Sequence, residues 1–129
     1  MIEIIDISMF SLKLKATIQK SGRLGFTRDT ANAIGCNKEI SVKFARDSED
    51  GDALYMIVSE KGATNSLSVS KAGEYYYVQA KLLFDSLGID YKTQTVMFDL
   101  VRMSNLDINL GGQVYKLNKR IICKKEKNN

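Results

Sequence analysis

The chain carries one ordered pattern twice, and such an echo favours folds in which two similar units complete one another. In the first copy Leu12, Leu14, Ala16 and Ile18 alternate with Ser11, Lys13, Lys15, Thr17 and Gln19, the two-residue period of a half-buried strand over 11–19. After a Ser21-Gly22 turn, Arg23 to Phe26 continues extended. Thr27 then stands as a helix N-cap with Thr30 three residues on, Ala31 and Ile34 follow, and Gly35 stops the helix. Glu39 to Arg46 alternates again, with Ile40, Val42 and Phe44 on one face. The acidic run DSEDGD, 47–52, breaks it before Ala53 to Ser59 resumes as strand. The unit is β-β-α-β-β.

The second copy follows in the same order. Lys20-Ser21-Gly22 is answered by Lys71-Ala72-Gly73, Leu24-Gly25-Phe26 by Tyr75-Tyr76-Tyr77, and Ile34-Gly35-Cys36 by Leu87-Gly88-Ile89. Ile40, Val42, Phe44 and Arg46 match Val96, Phe98, Leu100 and Arg102 at one offset of 56, and Leu54 to Ile57 matches Val114 to Leu117 at 60. The offsets grow only at turns and helix ends, where insertions are tolerated. The expectation is one α+β, mainly β domain over 1–129, in which two fused ββαββ repeats, about 12–61 and 68–120, form a barrel-like sheet with two short helices. Glu60 to Ser70 would join them and supply a pairing strand, and 121–129 would be a disordered basic tail.

A length of 129 residues with 44% hydrophobic content suits one real core. No apolar run approaches membrane-spanning length, and the start MIEIIDISMF carries Glu3 and Asp6 instead of a positive leader region, so a cytoplasmic protein without membrane span is expected. There is no histidine, and Cys36 and Cys123 lack any CxxC spacing, so neither a metal site, a cofactor nor a Ser-His or Cys-His pair is expected. The chain reads as a non-enzyme. Cys36, in a slot matched by Ile89, reads as a small buried hydrophobe. Net charge is +4, but 121–129 holds three lysines against one glutamate, which leaves 16 basic and 14 acidic residues, +2, on the body. That balance permits nucleic-acid binding without requiring it.

Gly22-Arg23-Leu24-Gly25-Phe26, followed eight residues later by Ile34-Gly35-Cys36, resembles the swapped-hairpin DNA-binding domains of the AbrB and SpoVT group. The resemblance covers roughly Leu12 to Lys61 and again Ser68 to Lys119. It implies interleaved hairpins closing a barrel, here as a pseudo-dimer within one chain, a transcription-regulator-like function of bacterial or phage type, and Arg23 as a DNA contact. Thr27 and Val78 stand where that family has proline, Ala31 and Asn32 where it often carries arginine, and Glu74 where the second copy would repeat Arg23.

Phosphate contacts are therefore expected from Arg23, Lys20, Arg28 and Lys71 and from the basic segment with Lys116, Lys119, Arg120, Lys124 and Lys125. Alternation puts Tyr75 and Tyr77 in the core slots of Leu24 and Phe26, leaving Tyr76 outward as a stacking residue and Tyr91 as another exposed candidate. Gly22-Arg23-Leu24-Gly25 also spells the GxxG of nucleic-acid-clamping KH loops, but here it lies between strands; no GxxxxGK[ST] or GxGxxG exists. Gly22 is explained by a turn at positive φ and Gly25 by the close approach of another backbone. The DSEDGD run lacks EF-hand ligand spacing and reads as a solvated loop. The alternative partner is a protein: an interaction or assembly module on the same fold that has lost DNA binding, in keeping with Glu74 and the mild charge. Exposed strand edges would leave room for a homodimer.

Overall fold

Eight antiparallel strands close into a barrel in the computed structural model, which describes residues 1–5, 13–51 and 53–122. The elements are β1 (Leu14–Ile18), β2 (Arg23–Phe26), α1 (Arg28–Ile34), β3 (Ile40–Arg46) and β4 (Leu54–Glu60). They continue with β5 (Leu67–Ala72), β6 (Tyr75–Gln79), α2 (Lys81–Ser86), β7 (Thr95–Arg102), a 3-10 turn (Ser104–Leu106) leading into α3 (Asp107–Leu110), and β8 (Gln113–Ile122). Around the ring the order is β1-β2-β6-β5-β3-β4-β8-β7, closed by β7 on β1. Every strand of the ring thus has a neighbour on each side, although β3 and β5 meet only at Ser41–Ser68 and Val42–Leu67 and leave the rest of that seam unpaired.

Local chemistry accounts for α1. Thr27 caps it by accepting the Thr30 N–H (3.3 Å), and Gly35 ends it at φ +84, donating its N–H to the Ala31 carbonyl. The fully buried Thr30 hydroxyl is donated to by Thr27 Oγ1 (2.8 Å) and by the Lys15 N–H (2.7 Å), which ties the helix to β1. Helix α2 leaves its last turn the same way: Gly88 takes φ +70, and the Ile89 N–H reaches the Phe84 carbonyl as the Cys36 N–H reaches that of Ala31. Because β2 and β6 are antiparallel neighbours, the helices that follow them sit at opposite ends of the barrel. The core holds Ala16, Ile18, Leu24, Phe26, Val42, Met56, Val78, Phe84, Phe98 and Leu117 among others. Cys36 is buried there as expected, and burial pushes its thiol up to about 12.

The structure corrects several sequence expectations. The inward face of β6 is the opposite of the one expected: Tyr76 and Val78 pack on the core, while Tyr75 and Tyr77 stand outside. Hairpin parity is the reason. Ile18 pairs with Leu24 across five intervening residues, whereas Ala72 pairs with Tyr75 across only two, so β6 is displaced by one residue relative to β2 and its faces exchange. A similar slip affects β8, where Tyr115 and Leu117 face the core with Leu54 and Met56, so the inward positions align at 61 rather than 60. Tyr91 is buried, 2% exposed, with its hydroxyl donated to Asp85 (2.6 Å). Ile121 and Ile122 belong to β8 rather than to a tail, and 123–129 lie outside the described residues. Of the joining segment expected over 60–70, residues 61–66 connect β4 to β5, and Leu67 to Ser70 pair as strand.

The excursion between β7 and β8 adds helical turns beyond the two expected. Asp107 organises it: its carboxylate accepts from both Arg102 Nη atoms (2.7 and 2.5 Å) and from the Val114 N–H (3.0 Å). The Arg102 guanidinium, with the Val114 N–H, holds the Asp107 carboxyl below its ordinary range. A lowered folded value contributes stability that is present above the unfolded carboxylate value of about 3.9 and is lost as pH falls through the folded value. The urea midpoint of Asp107→Asn is therefore expected to lie below that of the parent at neutral pH, with the gap closing toward pH ~3. A gap unchanged by acid would remove the carboxylate from this role.

Candidate nucleic-acid interface

Strands β2 and β6 meet in the wall where the first half of the chain pairs with the second. Gly25 lies opposite Tyr77 and Arg23 opposite Gln79. On the outside of this wall Arg23, Tyr77 and Tyr75 form a row. The Arg23 guanidinium carbon sits 4.2 Å from the centroid of Tyr77, and the Tyr77 and Tyr75 rings stack with centroids 6.1 Å apart and planes 21° apart. All three side chains are half-buried.

Gly25 makes the row possible. A Cβ there would fall on the Tyr75 hydroxyl, which lies across this glycine and accepts from Gln19 Nε2. The close approach expected at Gly25 is thus made by a phenol rather than by another backbone. Burial raises the Tyr75 phenol above its ordinary range, while the Arg23 charge pulls the other way, so it stays a neutral hydroxyl near neutrality. Gly22 serves the neighbouring turn. It adopts φ +86, as the turn required, and its carbonyl accepts the Ala80 N–H (3.2 Å) where α2 begins.

Electrostatics separates the expected site residues. Arg28 is paired with Glu74 (2.9 Å), Arg120 with Asp99 (2.8 Å) and Arg102 with Asp107 (2.5 Å). Among the described residues no carboxylate pairs with Arg23, and its Nε is buried without a hydrogen-bond partner. Lys20 stands in the β1–β2 turn beside it, whereas Lys71, on β5 opposite Tyr76, shares the face of Tyr76 rather than that of the row, its Nζ 5.5 Å from the Tyr76 centroid. Tyr76 is consequently a core-edge residue rather than an outward platform. Lys116, Lys119 and Arg120 are on β8, whose seam with β4 lies across the ring from the β2–β6 seam, so the expected contacts do not form one surface. Lys124 and Lys125 lie outside the described residues.

Sequence reasoning missed Tyr75, Tyr77 and Gln19. The available signal was the two-residue turn at Gly73-Glu74, whose parity sets which tyrosines face out. A cleft of about 850 Å³ opens away from this wall, between the end of α1, the start of β3 and the end of β4, with Lys38, Lys43, Glu39 and Glu60 along it. Among the described residues no group of three His, Cys, Asp or Glu side chains is arranged to hold a metal ion, and no helix is long and apolar enough to cross a membrane. Compared with known family models, curated proteins and solved structures, the chain matches none.

Proposed function

We propose that this chain is a non-enzymatic, cytoplasmic nucleic-acid-binding protein of regulator-like type, whose phosphate contacts gather on the β2–β6 wall. The observation that carries this is Arg23: a half-buried guanidinium free of any described carboxylate, held over Tyr77 with its Nε lacking a hydrogen-bond partner, and flanked by Lys20. A planar, pre-positioned arginine suits a phosphate oxygen pair, and its immobilisation by Tyr77 lowers the entropy lost on contact.

The same proposal takes the barrel as two fused ββαββ halves with exchanged hairpins. What supports it is the strand order. Exchanging β1 with β5, β2 with β6, β3 with β7 and β4 with β8 returns the same ring. Hairpin β1–β2 pairs with β7 of the other half, and hairpin β5–β6 with β3. Each half's first turn also rests on the opening of the other half's helix: Gly22 on Ala80 and Lys81, Glu74 on Arg28. In this reading Glu74 neutralises the counterpart surface, leaving one basic wall end where a symmetric dimer would have two.

Arg23→Glu is expected to lower affinity for mixed-sequence DNA by at least about tenfold at low salt and to flatten the salt dependence, because a phosphate contact is replaced by repulsion. Lys116→Glu, on the opposite wall, should cost much less. Titration by fluorescence anisotropy at two salt concentrations checks both, and equal losses would dissolve the assignment to this wall. The second reading, a protein-interaction module, draws on the three neutralised arginines and on α3, where Ile108 is 96% exposed.

A further inference from the structure

We infer that the β2–β6 wall prefers single-stranded to duplex nucleic acid, with unpaired bases stacking along the Arg23–Tyr77–Tyr75 row; this rests on the nucleic-acid reading above and names its substrate class. Three features of the wall carry it. The first is the row itself. Two tyrosine rings with nearly parallel planes and a guanidinium over one of them form a run of π faces, all partly exposed, where a base can continue the stack.

The second is its surroundings. Thr17 pairs with Gly25 and Ser70 with Tyr77, so they share the outer face with the row, and Gln79 lies opposite Arg23. Hydroxyls and an amide at these places suit base edges and sugar oxygens, while Lys20, exposed in the β1–β2 turn beside Arg23, stands ready for a backbone phosphate. No acidic side chain belongs to the outer positions Thr17, Arg23, Gly25, Ser70, Tyr75, Tyr77 and Gln79.

The third is shape. Reading duplex DNA directly takes a helix or two-stranded ribbon inserted in a major groove about 12 Å wide. Here α1 has seven residues and α2 six, each with a face in the core, and the basic residue opening α1, Arg28, is held by Glu74. A barrel wall is convex, and its reading surface is a flat row of rings rather than a projecting element. A flexible strand can follow such a surface by splaying its bases, whereas a duplex offers it only phosphates.

The test is anisotropy with a labelled mixed-sequence oligonucleotide of about twenty nucleotides, single-stranded and as duplex, at low and moderate salt. Parent protein, Arg23→Lys and Tyr77→Leu are compared. The parent should bind the single strand at least about tenfold tighter than the duplex at equal salt, and Arg23→Lys, which keeps the charge but loses the plane, should weaken single-strand binding about fivefold or more. Because the chain has six tyrosines and no tryptophan, its intrinsic emission should also be quenched by the single strand. Equal or tighter binding of duplex, or an Arg23→Lys variant as tight as the parent, overturns the stacking preference and leaves electrostatic nucleic-acid binding standing. Absence of salt-dependent binding to either form overturns both.

Discussion

Phe84→Ala is expected to lower the unfolding free energy by about 3–5 kcal/mol, and the thermal midpoint by about 10 °C or more. Phe84 is fully buried and meets Phe44 and Tyr91 edge-on at 6.4 Å and Phe98 at 6.3 Å. It joins α2 to β3 in the first half of the chain and to β7 in the second. A cavity there is walled by sheet on two sides and by rigid rings, which leaves little room for collapse. Leu82→Ala on the same helix supplies the control, since Leu82 is 83% exposed and its loss should stay within about 0.5 kcal/mol. Paired urea titrations measure the difference, and comparable midpoints for the two variants would show that α2 is not seated as described.

Gly22→Ala should cost about 3 kcal/mol where Gly73→Ala costs about 1, although both glycines sit in the turn of a β-hairpin. Both have positive φ, +86 and +62, so both alanines bear the left-handed penalty of roughly 1–2 kcal/mol. Only at Gly22 is space also lacking. A Cβ there would lie 2.6 Å from Lys81 Cα, the backbone at the start of α2, and relief requires the turn or the helix to move, a further cost of about 1–3 kcal/mol. At Gly73 the same atom meets nothing within 4 Å. Urea midpoints of the two variants against the parent check this, and equal shifts would mean that the β1–β2 turn is not wedged against α2.

The contrast between these glycines marks how far the sequence could be read. The alternation of Ala16 and Ile18, the Thr27 cap, the stops at Gly35 and Gly88 and the apolar register of β3 against β7 all appear where the pattern placed them. Each depends on interactions within a few residues or on a side-chain period of two. The tyrosines of β6 did not follow, because whether Tyr76 or Tyr77 points outward depends on how many residues the preceding turn contains and which pair closes it. The β8 offset failed for the same reason. Among the candidate contacts, Arg23 stood out in the sequence, whereas nothing local showed that Arg28 would be spent on Glu74, a partner 46 residues away.

What the sequence by itself determined is therefore the inventory: short strands of period two, turn glycines, a capped first helix and a chain without histidine. These are short-range consequences of backbone sterics and hydrophobic period, and they survive without knowledge of neighbours. Only the tertiary structure decided which face each strand turns outward, which arginines remain unpaired and which glycine admits another chain segment. Those outcomes depend on closing the ring, where a one-residue change in a hairpin reverses a face and where charges choose partners by proximity in space. The Arg23–Tyr77–Tyr75 row exists because β2 and β6, from opposite halves of the chain, became neighbours across that seam.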